Sequence, residues 1–126
     1  MKIILLDNDL ELLDVFQKFL TIAGHECITT DKPVVALSLI NTFQPNVLIS
    51  EYFSNDENYV ELFKKLGSQK ISTKTIILTS VEYGIKDLET LENQGISSIF
   101  LKPIDPLLIL KTLSQFGQKH HLTLSI

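Results

Sequence analysis

The groups in this chain that could do chemistry each stand directly after a short apolar run. Asp7, Asn8 and Asp9 follow KIILL, Glu51 closes PNVLISE, Thr79 and Ser80 close TIILTS, and Lys102 with Pro103 follows SSIFL. An apolar strand that ends in a carboxylate, a hydroxyl or an ammonium delivers that group to the rim of its sheet. There such groups can together hold an ionic ligand. Any one of them alone reads as a helix cap or a solvated strand end. Agreement at four strand ends argues for a site.

The elements that must position these residues alternate regularly. KIILL (2–6) is continuously apolar, as a strand buried on both faces should be. A helix is expected from Leu10 to Ala23, with Leu13, Phe16, Leu20 and Ala23 on its inner stripe, Asp9 or Asn8 as cap and Gly24 as stop. HECITT is the second strand. Asp31 and Pro33 open the second helix, with Val34, Leu37, Ile40 and Phe43 facing inward. NVLIS and TIILT are the third and fourth strands. A helix over 59–66 with a boundary at Gly67 lies between them, and a fourth, marked by Ile85, Leu88 and Leu91, ends at Gly95. SSIFL is strand five, and Pro106 opens a last helix from Leu107 to about Phe116. Five strand–helix units imply right-handed crossovers and a parallel sheet covered on both faces. The expectation is one domain over 1–117 and a short tail over 118–126, where His120 and His121 read as solvated.

Composition narrows the class. With 126 residues, 44% of them hydrophobic, the chain can bury a real core. No apolar run approaches the ~18 residues of a membrane span, and MKIILLDND is too short and too soon acidic for a secretory signal. A cytoplasmic protein is expected. All 11 basic residues are lysines and the net charge is −4. Without arginine or a basic stripe, direct nucleic-acid binding is not expected. The single Cys27 permits no internal disulfide and reads as a small buried strand residue.

Taken in order, IILLDND, PNVLISE, TIILTS and SIFLKP resemble a response-regulator receiver domain over residues 1 to about 117. The resemblance implies a doubly wound, flavodoxin-like (βα)5 α/β fold with strand order 2-1-3-4-5. It also implies a phosphotransfer site: two acids after strand one hold Mg²⁺, an aspartate after strand three accepts the phosphoryl group, and a hydroxyl and a lysine contact the phosphate. Asp7 matches the first acid, Thr79 the hydroxyl and Lys102 the lysine, with Ser80 and Pro103 beside them. Two positions depart: Asn8 stands for the second acid, and Glu51 for the phosphate-accepting aspartate.

Each departure has a physical cost. Mg²⁺ demands hard oxygen ligands at strict distances, so an amide at position 8 weakens it. Magnesium binding is expected to be weak or absent, with Asp7 and Glu51 the remaining ligands and Asp9 better placed as a cap. The extra methylene of Glu51 moves its carboxylate by roughly 1.5 Å. Misplacing a nucleophile by about 1 Å can cost on the order of 100-fold in rate. The longer arm also brings Glu51 within reach of Lys102, a pairing that would imitate a permanently modified aspartate. The aromatic residue that receivers carry three before the lysine is Ile99 here, and Phe100 should face the other side of the strand. The loop YFSNDEN lacks the family's Pro and Gly, and its Asp56 and Glu57 read as solvated.

These features describe an atypical, or pseudo-, receiver in two-component-type signalling: no enzyme, but a protein-interaction module working without phosphorylation. Its expected partner face is helix four, strand five and helix five, drawing on Tyr83, Lys86, Glu89, Glu92, Lys102, Ile109 and Lys111, with a homodimer as one option. Two alternatives stay open. One is a receiver phosphorylated at Asp7, Asp9 or Asp56. The other is a phosphatase resembling the haloacid-dehalogenase type, with Asp7 as nucleophile and Asp9 as general acid. Against the latter, Glu11 stands where Thr or Val is usual, and Asp105 lacks an acidic neighbour.

Overall fold

The computed structural model describes residues 1–53, 55–68, 72–80 and 85–116. Its elements are β1 (Lys2–Leu6), α1 (Leu10–Ile22), β2 (Glu26–Thr30), α2 (Pro33–Phe43), β3 (Val47–Ser50), α3 (Glu57–Ser68), β4 (Lys74–Thr79), α4 (Ile85–Asn93), β5 (Ile96–Leu101) and α5 (Pro106–Phe116). The five strands form one parallel sheet in the order β2-β1-β3-β4-β5. The expected architecture and strand order are therefore observed.

The apolar runs are continuous because successive side chains enter different cores. Ile3, Leu5, Val47, Ile49, Ile76 and Leu78 pack with Leu13, Phe16 and Leu20 of α1 and with Ile109 and Leu113 of α5. Ile4, Leu6, Leu48 and Ile77 turn to the opposite face and meet Ala36 and Ile40 of α2, Leu62 and Phe63 of α3, and Leu91 of α4. Each such fully buried aliphatic side chain contributes roughly 1.5–3 kcal/mol. The edge strands β2 and β5 are only partly covered.

Helix ends follow local chemistry, with corrections. Asp9 caps α1, its carboxylate accepting from the Leu12 amide. Gly24 and Gly95 take positive φ after α1 and α4, as expected. Ala23 and Val34, placed on the inner stripes, are exposed; Ala36 and Ile40 carry the buried face of α2. The N-cap of α2 is Lys32 and not Asp31, because the turn starts with Thr30 Oγ1 accepting from the Lys32 amide. Gly67 is the last residue but one of α3, which ends at Ser68, one residue past the expected boundary. A Cβ there would stand 3.2 Å from Gln94 Cα, so this glycine marks a close approach of α3 to the end of α4. Cys27 is half-buried, with its thiol pushed up to about 11 by burial. The tail over 118–126, with His120 and His121, lies outside the described residues.

Candidate functional site

The main chain continues its ladder one residue past three of the strands. The Asp7 amide donates to Thr30 O at 3.2 Å, the Glu51 amide to Leu6 O at 3.1 Å, and the Lys102 amide to Thr79 O at 2.7 Å. The site residues are thus held by strand-type hydrogen bonds, although they lie beyond the strands proper. Asp7, Glu51 and Thr79 are all buried.

Lys102 joins the two acids. Its Nζ donates to Asp7 Oδ2 at 2.7 Å and to Glu51 Oε2 at 3.1 Å. The carboxylates are almost wholly shielded, whereas the lysine side chain keeps 17% of its surface in solvent. The remaining oxygens are also engaged: Asp7 Oδ1 accepts from the Asp9 amide at 2.8 Å, and Glu51 Oε1 from the Tyr52 amide at 3.1 Å. Burial alone would lower the Lys102 pKa. Its hydrogen bonds to Asp7 and Glu51, together with their charges, outweigh that and raise it above the ordinary 10.5.

The other expected residues divide. Asn8 is exposed, and Asp9 is spent on the α1 cap. Ser80 and Pro103 are exposed at the rim. Ile99 packs into the core shared with α2 and α3, and Phe100 into the opposite one, as strand alternation requires. Asp56 is half-buried rather than freely solvated; its Oδ1 accepts from the Asn58 amide and helps to start α3. Of the expected partner face, Glu89, Glu92 and Lys111 are exposed, but Ile109 is fully buried against the sheet and Lys102 is turned into the pocket. Tyr83 and the side chain of Lys86 lie outside the described residues.

Two features escaped sequence reasoning. The first is an aromatic cluster between the two residues that follow Glu51 and helix α3. The Tyr52 ring lies 4.8 Å from Phe63, and Phe53 meets Tyr59 edge-on at 5.2 Å. Burial, followed by the charges of Asp7 and Glu51, pushes the Tyr59 hydroxyl up to about 12. The second is an open groove of about 950 Å³ between the start of α1 and the β5–α5 loop, lined by Leu10, Val15, Phe16, Pro103 and Ile104 among others. Leu10 and Val15 are 66% and 52% exposed, so their helical period carried no sign of a shared surface.

A divalent cation, which the receiver resemblance implies, fits these donors poorly. Four bonded carboxylate oxygens, an ammonium among them and an exposed amide at position 8 leave no open set of hard oxygens. Among the described residues, no group of three or more His, Cys, Asp or Glu side chains could hold a metal. No described helix is long and apolar enough to cross a membrane.

No family model matches the chain. It is 26% identical over 118 residues to the circadian input-output histidine kinase CikA of Synechocystis, spanning 93% of this chain but only 16% of that protein. In structure it resembles a response regulator protein from Burkholderia multivorans, with TM-score 0.80 and 17% identity over 95% of this chain and 97% of the other. It likewise resembles the receiver domain of Francisella response regulator 1452, with TM-score 0.78 and 20% identity over 90% and 93% of the two chains. Sheet order, the strand-end placement of Asp7, Glu51, Thr79 and Lys102, and these likenesses agree: the chain has the fold of a response-regulator receiver domain.

Proposed function

We propose that the chain is a receiver-type interaction module of two-component signalling that works without phosphorylation. The observation that carries this reading is Glu51. It stands at the phosphoacceptor position at the end of β3, carries one methylene too many, and is already bonded through Oε2 to Lys102 and through Oε1 to Tyr52. Phosphoryl transfer depends on placement and on charge neutralisation. A nucleophile folded onto its own neighbour's amide and tied to the lysine offers neither an in-line oxygen nor an open metal site. The same contact imitates what a phosphoryl oxygen would do for Lys102.

Signal output then passes through a protein partner, with Glu89, Glu92 and Lys111 exposed on the α4–β5–α5 face among the described residues, and a homodimer as one form of it. Incubation with a small phosphodonor and Mg²⁺ followed by intact mass tests the reading. No gain in mass is expected. A gain of one phosphate, mapped to Asp7, Asp9, Glu51 or Asp56, would overturn it.

A further inference from the structure

Two strands, β3 and β4, separate β1 from β5 in the sheet, yet Lys102 at the end of β5 bonds Asp7 at the end of β1. On the way it also takes Glu51 at the end of β3. A lysine ammonium has three donors, and two of them are used on two different carboxylates. The acids are buried, and the amides of Asp9 and Tyr52 hold the oxygens that Lys102 does not use, which keeps the other two aimed at its ammonium. Any ion entering between them would meet the ammonium at close range in a poorly solvated pocket, where like charges repel strongly.

We infer that Lys102 is the resident cation of this pocket: its ammonium takes the place of a divalent ion, ties together the ends of β1, β3 and β5, and closes the site to magnesium. The pocket is then assembled at all times, whatever the supply of metal. This deepens the reading above and rests on it in treating position 51 as idle. Its test is separate, because cation binding is read with no phosphodonor present.

Thermal unfolding is followed for the wild-type chain, Lys102→Met and Lys102→Met/Glu51→Gln, each with chelator, with millimolar Mg²⁺ and with millimolar Mn²⁺. The wild-type midpoint is expected to be the same in all three conditions. Lys102→Met should melt lower in chelator and recover in a saturable way with either metal, since two buried carboxylates then lack a cation. The double variant should not recover, which a merely structural role for the lysine does not predict. A saturable rise of the wild-type midpoint with Mg²⁺ overturns the inference, and so does a Lys102→Met protein that ignores both metals. If Lys102→Met fails to fold, the wild-type chain still decides the matter. Local Mn²⁺ broadening of the Asp7 and Glu51 amide resonances overturns the inference, and sharp signals support it. A chain that binds Mg²⁺ yet takes no phosphate would sink this inference and leave the idle-receiver reading standing.

Discussion

Lys102 and Glu51 meet across 3.1 Å at the end of β3, while the other oxygen of Glu51 accepts from the next amide in the chain. Lys102 lies closer still to Asp7, at 2.7 Å, and Asp7 is the better shielded of the two acids. The two pairs therefore should not be equal. Double-mutant cycles using Asp7→Asn, Glu51→Gln and Lys102→Met in urea unfolding are expected to give coupling of about 1–3 kcal/mol, larger for Asp7 than for Glu51. Absent coupling to either acid would mean that the ammonium is not shared, and equal coupling that distance and shielding do not rank the two pairs.

Aspartate at both departing positions should permit the chemistry that the proposed reading denies to this chain. Asn8→Asp/Glu51→Asp is expected to gain one phosphate from a small phosphodonor in the presence of Mg²⁺, read by intact mass. Glu51→Asp alone, still lacking the second acid to hold Mg²⁺, should react more slowly. Equal rates for the two variants would show that Asn8 is no handicap.

Alkaline solution should destabilise the fold. Tyr59 has a folded pKa of about 12 against 10.0, Cys27 about 11 against 9.0, and Lys102 stands above 10.5. In each case the folded state holds its proton longer, so the stability it provides is complete below the unfolded pKa and is lost as pH rises through the folded one. Stability should fall from about pH 9 toward pH 12, and Tyr59→Phe should flatten the part of the curve above pH 10. Urea midpoints across that range check this; an unchanged slope in the variant would clear Tyr59 of the effect.

Gly67→Ala offers a contrast in sign. In an exposed helix interior the change should gain up to about 1 kcal/mol. Here the new Cβ would meet Gln94 Cα at 3.2 Å, and the Gln94 amide is held by Thr90 O and Leu91 O. A backbone atom so fixed gives little, so a net loss of about 1 kcal/mol is expected from thermal or urea unfolding.

Asp9 is assigned to the cap of α1 and not to the pocket. Asp9→Ala should cost about 1 kcal/mol, while Asp9→Ser, also a good cap, should stay within a few tenths of the wild type. Equal losses in both would indicate that the charge of Asp9, and not its acceptor oxygen, matters.

What could be read beforehand follows from what is local. The strands were legible because Ile3 to Leu6, Val47 to Ile49 and Ile76 to Leu78 are buried on both faces, so both alternating sets had to be apolar. The meeting of Asp7, Glu51 and Lys102 was legible because parallel strands all deliver their ends to one rim. The errors lie where distant parts of the chain decide. The close approach of Gly67 to Gln94 was missed because the two are far apart in sequence. Ile109 looked like surface because the inward face of α5 depends on where the sheet lies. The cap of α2 is the exception, a local miss: position 31 lost it to a turn begun by its neighbour Thr30. The pairing of Lys102 with Glu51 was foreseen from reach alone. Its shorter bond to Asp7 was not, since two strands separate β1 from β5 in the sheet.

The amide hydrogen bonds that place Asp7, Glu51 and Lys102 belong to the peptide chain and ask nothing of the side chains. Such a rim behaves as a jig whose clamps stay fixed while the tools they hold are exchanged. Aspartate can become glutamate, or an acid its amide, with the skeleton unmoved. A scaffold of this kind can exchange the side chains at its rim by a few codons while its outline stays as it was.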